Sequence, residues 1–82
     1  VTTQTAKLTA KQIRLLLAIA RFWDEHGYPP SFRDLMRLAD ISSTSVVGYN
    51  LEALHKRKLI SYERFITRSV RLTGAGIART PA

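Results

Sequence analysis

Residues 42–58 read SSTSVVGYNLEALHKRK, and the fold turns on how this stretch is read. At helical spacing Val47, Leu51 and Leu54 fall on one face, the i, i+4, i+7 stripe of a helix lying on a core. Ser45, Tyr49, Glu52 and Lys56 fall on the opposite face. Ser42, Ser43 and Thr44 precede the stretch and can cap its first amides, which have no partner inside the helix. Lys56, Arg57 and Lys58 close it, where positive charge suits the helix dipole. A buried face behind, a polar face in front and a basic end suit a helix that enters a nucleic-acid groove. An ordinary amphipathic helix with a solvated side shares that pattern, so the flanking sequence has to decide.

Upstream, Pro29-Pro30-Ser31 leads into a shorter helix with Ser31 as N-cap and Asp34 three residues on. Phe32, Leu35, Met36 and Ala39 form its apolar face, with Arg33 and Arg37 together on the other side. Asp40-Ile41-Ser42-Ser43 is a short turn between the two helices. Two short helices so joined make a helix-turn-helix, whose second member reads the major groove. A longer first helix is predicted over Ala10–His26. Thr9 and Gln12 have the spacing of a capping box, Leu8 can staple onto Ile13, and Gly27-Tyr28-Pro29-Pro30 stops it. This helix carries two apolar stripes: Leu15, Leu16, Ile19, Phe22 and Trp23, and beside them Ile13, Leu17 and Ala20. Periodicity does not say which one packs the core.

Downstream the period changes. Ile60 and Tyr62 point one way, Val70 and Leu72 alternate inward, and Phe65-Ile66-Thr67-Arg68 must turn between them without glycine or proline. Gly74-Ala75-Gly76 ends the second strand, and Ile77 to Ala82 reads as a tail or one loose turn. The expected architecture is mainly α with a small β-hairpin, a three-helix winged helix-turn-helix over residues 8–73. Tails over residues 1–7 and 74–82 flank it.

Eighty-two residues hold one modest core. Thirteen Lys and Arg against six Asp and Glu leave a net charge of +7, which suggests a polyanionic partner, nucleic acid or an acidic membrane surface. The longest apolar run, Leu15 to Ala20, is far too short to span a bilayer. The absence of cysteine removes disulfides and thiolate metal sites and fits a reducing cytoplasm. No signal peptide is visible, and a start at Val1 fits either removal of a leading Met or a domain cut from a longer protein. His26 and His55 are isolated, no glycine-rich phosphate loop is present, and no nucleophile–base arrangement stands out. No enzyme, cofactor, metal site or small-molecule substrate is expected.

Leu8-Thr9-Ala10-Lys11-Gln12, Gly27-Tyr28-Pro29-Pro30 and the run Leu51-Glu52-Ala53-Leu54-His55-Lys56-Arg57-Lys58-Leu59-Ile60 resemble, in order, the N-terminal DNA-binding domain of LexA repressors. The resemblance covers roughly Leu8 to Leu72. It implies that bases are read from Ser43, Ser45, Val46, Gly48 and Tyr49, which agrees with the face that periodicity leaves free. The family's Asn and two Glu are replaced here by Ser45, Gly48 and Tyr49, so the preferred site should differ. In the wing two family glycines are replaced by Phe65 and Ser69, while the matched arginine, Arg68, is present. The family's self-cleaving, dimerising peptidase domain has no counterpart in the sequence, and Ala75-Gly76 reads as a strand terminator rather than a scissile bond. Ile13, Leu17 and Ala20 stand where the family is polar, which assigns the core to the other stripe of helix one, Trp23 included.

Three functions follow as expectations. The first is a sequence-specific duplex-DNA binder, a small nucleoid-associated transcriptional repressor or regulator, with helix 42–58 in the major groove and wing 59–73 on the backbone. Arg33, Lys56, Arg57, Arg64, Arg68 and Arg71 would hold phosphates, and six such contacts predict a log–log salt slope near about −5. Glu52 would pair with Lys56 or accept from a cytosine amino group. The second is a protein-interaction module, or homodimer, docking through Ile13, Leu17 and Ala20 or the Phe65-Ile66 tip. RNA binding ranks last, because clustered exposed aromatics are lacking.

Overall fold

The computed structural model describes residues 8–63, 66 and 68–80. The expected tail over residues 1–7, and Arg64, Phe65 and Thr67 of the wing, lie outside the described residues. The helices are α1 (Ala10–His26), α2 (Phe32–Ala39), α3 (Thr44–Lys56) and α4 (Gly74–Arg79), with β1 (Ile60–Ser61) and β2 (Arg71–Leu72) between the last two. The first three helices and the antiparallel hairpin form a winged helix-turn-helix.

Local chemistry sets the ends of these elements. Thr9 and Gln12 close a reciprocal capping box on α1, and Ser31 and Asp34 close one on α2. Gly27 ends α1 at φ 77°, a left-handed conformation that glycine adopts at little cost. Lys58 takes the same conformation after α3 at φ 64°. Its amide bonds the His55 carbonyl at 2.9 Å and the Leu59 amide bonds that of Leu54 at 3.1 Å, so the last carbonyls of α3 are satisfied.

Leu15, Leu16 and Ile19 of α1, Leu35 and Ala39 of α2, Ile41 of the turn and Val47, Leu51 and Leu54 of α3 are buried together with Leu59, Ile60 and Val70. Each large aliphatic among them contributes about 1.5–3 kcal/mol relative to exposure. In the hairpin Ile60 faces Leu72 and Ser61 faces Arg71, so the inward alternation holds, although each strand is only two residues long.

Two expectations fail. Trp23, placed in the core stripe, is 41% exposed, whereas Phe22 and Ala18, the latter in neither stripe, are buried. Helical period keeps Trp23 on the core face, seven residues after Leu16 and four after Ile19, but it stands in the last turn of α1, where it lines an open groove with Arg71, Leu72 and Ile77. The expected C-terminal tail is also structured: Gly74–Arg79 is helical and Gly76 is buried. Thr73 starts this helix. Its amide bonds the Leu59 carbonyl at 3.0 Å, and its hydroxyl donates to the Lys58 carbonyl at 2.7 Å while accepting from the Gly76 amide at 3.0 Å. Ala75 and Gly76 therefore lie inside α4 rather than ending β2. None of the described helices is long and apolar enough to cross a membrane.

Candidate nucleic-acid interface

α3 lies with Val47, Leu51 and Leu54 inward, and its outer side faces solvent. Ser43 is its N-cap, the hydroxyl accepting from the Val46 amide at 3.4 Å. Its first turn holds no acid, so the positive end of the helix dipole keeps its attraction for anions. Of the five residues implied as base readers, Ser45 and Tyr49 are exposed, Tyr49 at 75%. Ser43, Val46 and Gly48 are half-buried: Ser43 is committed to the cap and Val46 packs against the core. A Cβ at Gly48 would meet Phe32 of α2 at 3.8 Å, an ordinary contact. Thr44, at the first position of the helix, is exposed beside Ser45 and was not among the expected readers. Glu52 accepts from the Tyr62 hydroxyl at 2.6 Å, joining the outer side of α3 to the base of the wing.

A buried polar contact fixes how α3 lies on α1. Gln12 Nε2 donates to Asn50 Oδ1 at 3.4 Å, and Asn50 Nδ2 donates to the Val46 carbonyl at 2.9 Å. Both side chains are buried among aliphatics, where an unpaired amide is costly. The sequence signal for Asn50 was available, since a polar residue three after Val47 and four before Leu54 falls on the core face.

The basic positions divide by what they already touch. Arg33 and Lys56 are exposed, and Arg57 is half-buried at the C-cap of α3. Arg71 is exposed, with its guanidinium 5.1 Å from the centre of the Trp23 ring. Arg68 is folded onto the body, its Nη1 donating to the Pro29 carbonyl at 3.0 Å and to Asp34 Oδ2 at 3.1 Å. Asp34 Oδ2 also accepts from the Ser31 amide at 2.9 Å. That backbone bond first, and the Ser31 hydroxyl and Arg68 after it, hold the Asp34 carboxyl below the usual carboxylate range against the cost of desolvation. On the return side of the wing Arg68 takes φ 57° without being glycine, and the Ser69 hydroxyl reaches back to Glu63. That hydroxyl accepts from the Glu63 amide at 2.9 Å, and the carbonyls of Ile66 and Glu63 lie 2.9 and 3.1 Å from it.

Ile13, Leu17 and Ala20 of α1 are half-buried, and Ile66 of the wing tip is exposed. Ala20 also lines an open groove of about 660 Å³ with Ile19, Trp23 and Asp24 of α1, Arg71 and Leu72 of β2, and Ile77 and Thr80 at the C-terminal end.

The sequence profile of the LexA DNA binding domain matches residues 5–69 of this chain. A LexA repressor of Roseiflexus sp. is 44% identical over 66 residues, which are 80% of this chain and 30% of that protein. One of Herpetosiphon aurantiacus is 43% identical over 68 residues, 83% of this chain and 32% of the repressor. LexA repressor 2 of Geobacter sulfurreducens is 36% identical over 67 residues, 82% and 33% respectively. The chain thus spans about a third of the length of these relatives, and α4 lies beyond the profile match. With the helix-turn-helix, the wing and the match over residues 5–69 in agreement, the chain belongs to the LexA DNA-binding domain family.

Proposed function

We propose that the chain binds duplex DNA sequence-specifically as the DNA-binding part of a transcriptional repressor or regulator acting on the cytoplasmic nucleoid. The observation that carries this is the exposed outer side of α3, presenting Ser45 and Tyr49 within a domain of this family. α3 would enter the major groove, where side-chain hydroxyls can reach base edges and an aromatic ring can meet a thymine methyl. Arg33, Lys56, Arg57, Arg64 and Arg71 would hold phosphates, giving affinity and register without sequence information.

The test pairs a duplex selected by the wild-type chain from a random pool with a random duplex, each titrated with and without competitor RNA. Wild-type protein should prefer the selected duplex and resist RNA competition. Tyr49→Ala should lose about 1–3 kcal/mol on the selected duplex and much less on the random one. Equal losses on both would remove Tyr49 from base reading and leave recognition to DNA shape.

A second contact surface is supported by the half-burial of Ile13, Leu17 and Ala20, an apolar line on α1 that the core does not fully cover. It would serve a homodimer or a protein partner. Leu17→Asp should weaken self-association in sedimentation while preserving the helical circular dichroism signal. Unfolding of that variant would instead make Leu17 part of the core.

A further inference from the structure

Arg68 stands in the wing, where a cation is expected to meet DNA, yet its guanidinium is spent on the body of the domain. Its Nη1 reaches the Pro29 carbonyl and the Asp34 carboxylate, and its guanidinium carbon lies 5.0 Å from the Tyr28 ring centre and 5.7 Å from that of Phe22. One side chain thus joins the wing to the end of α1, to the α1–α2 connection and to the first turn of α2. Such charge-assisted bonds, with an aromatic face beside the cation, are stronger than neutral ones and fix direction.

Asp34 is a fixed anchor rather than a loose surface acid. Its carboxylate accepts from the Ser31 amide within the capping box, its other oxygen takes Arg37 at 3.3 Å, and its side chain is only 17% exposed. The base of the hairpin is held to the body by Ile60, Val70 and the Tyr62–Glu52 bond, whereas among the described residues of its tip the other contacts are local ones made by Ser69 and by Ile66 to Glu63. Arg68 also holds a left-handed backbone, which a residue with a side chain keeps only where its surroundings impose it.

We propose that Arg68 is a positioning residue that clasps the wing to the first turn of α2, serving DNA binding through Asp34 rather than by meeting a phosphate. The DNA half of this statement rests on the function proposed above, whereas the clasp itself belongs to the free protein. A phosphate ligand and a clasp make opposite predictions at Asp34. Were Arg68 a phosphate ligand, Asp34→Asn would free it and remove a negative charge, so binding would tighten. For a clasp, the same substitution releases the wing, and binding weakens despite the more favourable net charge.

Two readouts test it. In the free protein, the Arg68 side-chain protons should resonate upfield because of the Tyr28 and Phe22 rings and move to random-coil positions in Asp34→Asn. The Glu63 amide, held by Ser69, should exchange at least about fivefold faster in Arg68→Gln, which leaves the capping box intact if Asp34→Asn fails to fold. On the duplex selected by the wild-type chain, Asp34→Asn and Arg68→Gln should each bind about threefold to tenfold more weakly. The double variant should be no weaker than the worse single one, because the two groups act as one unit. Tighter binding by Asp34→Asn, multiplying losses, or an Arg68 spectrum and Glu63 exchange indifferent to these substitutions would overturn the clasp. If wild-type protein binds no duplex while the free-protein shifts appear as expected, the DNA reading fails and the clasp stands.

Discussion

Raising the salt concentration from about 50 to 200 mM should weaken duplex binding by about 500-fold. The figure follows from five cations, Arg33, Lys56, Arg57, Arg64 and Arg71, each displacing one condensed counterion from the duplex. Five contacts give a slope of log K against log salt of about −4.5, slightly shallower than six would give. Arg68 is left out of the sum because its charge is already matched by Asp34 at 3.1 Å. Binding isotherms at four or more salt concentrations on a random duplex measure the slope directly. A slope between zero and about −1 would mean that the net charge of +7 serves something other than the DNA backbone, and the protein-interaction reading would then lead.

Gly76→Ala should lower stability by about 3 kcal/mol, the upper end of the ordinary cost of overpacking. Gly76 sits in α4 directly against the backbone between α3 and β1. A Cβ there would penetrate the Leu59 carbonyl oxygen and lie 2.9 Å from its carbon. Backbone cannot rotate aside as a flexible side chain can. The Leu59 carbonyl also receives the Thr73 amide, so moving it disturbs the start of α4 as well. In a domain of this size the melting temperature should fall on the order of 15 °C. Gly74→Ala is the internal control, since no atom lies within 4 Å of its added Cβ. That variant should be neutral or gain about 0.5–1 kcal/mol from lower backbone entropy in the unfolded chain. Equal melting of the two variants would mean that α4 is not seated on Leu59.

The elements themselves were legible in the sequence because their determinants are local. Thr9 with Gln12 and Ser31 with Asp34 are spacings of three residues, and both form the capping boxes they predict. Gly27 before two prolines marks a helix end for reasons confined to its own backbone. Val47, Leu51 and Leu54 are inward by helical period alone, and all three are fully buried. The outward side of α3, with Ser45 and Tyr49 on it, is the complement of that stripe and was legible for the same reason.

What only the tertiary structure decided are relations between residues distant in the chain. Trp23 looks like core by helical period, but its exposure depends on what covers the end of α1, where Arg71, Leu72 and Ile77 leave an open groove beside it. Arg68 lies 34 residues from Asp34 and 39 from Pro29, so its commitment to the body leaves no mark in the wing's own sequence. Gly76 looked like the end of a strand because Gly-Ala-Gly is a poor helix former. The helix exists there because Thr73 caps it and Gly76 alone can approach the Leu59 carbonyl so closely. Local hydrogen bonds and periodicity can be counted along the chain; close approach and charge pairing across it exist only once the chain has closed on itself.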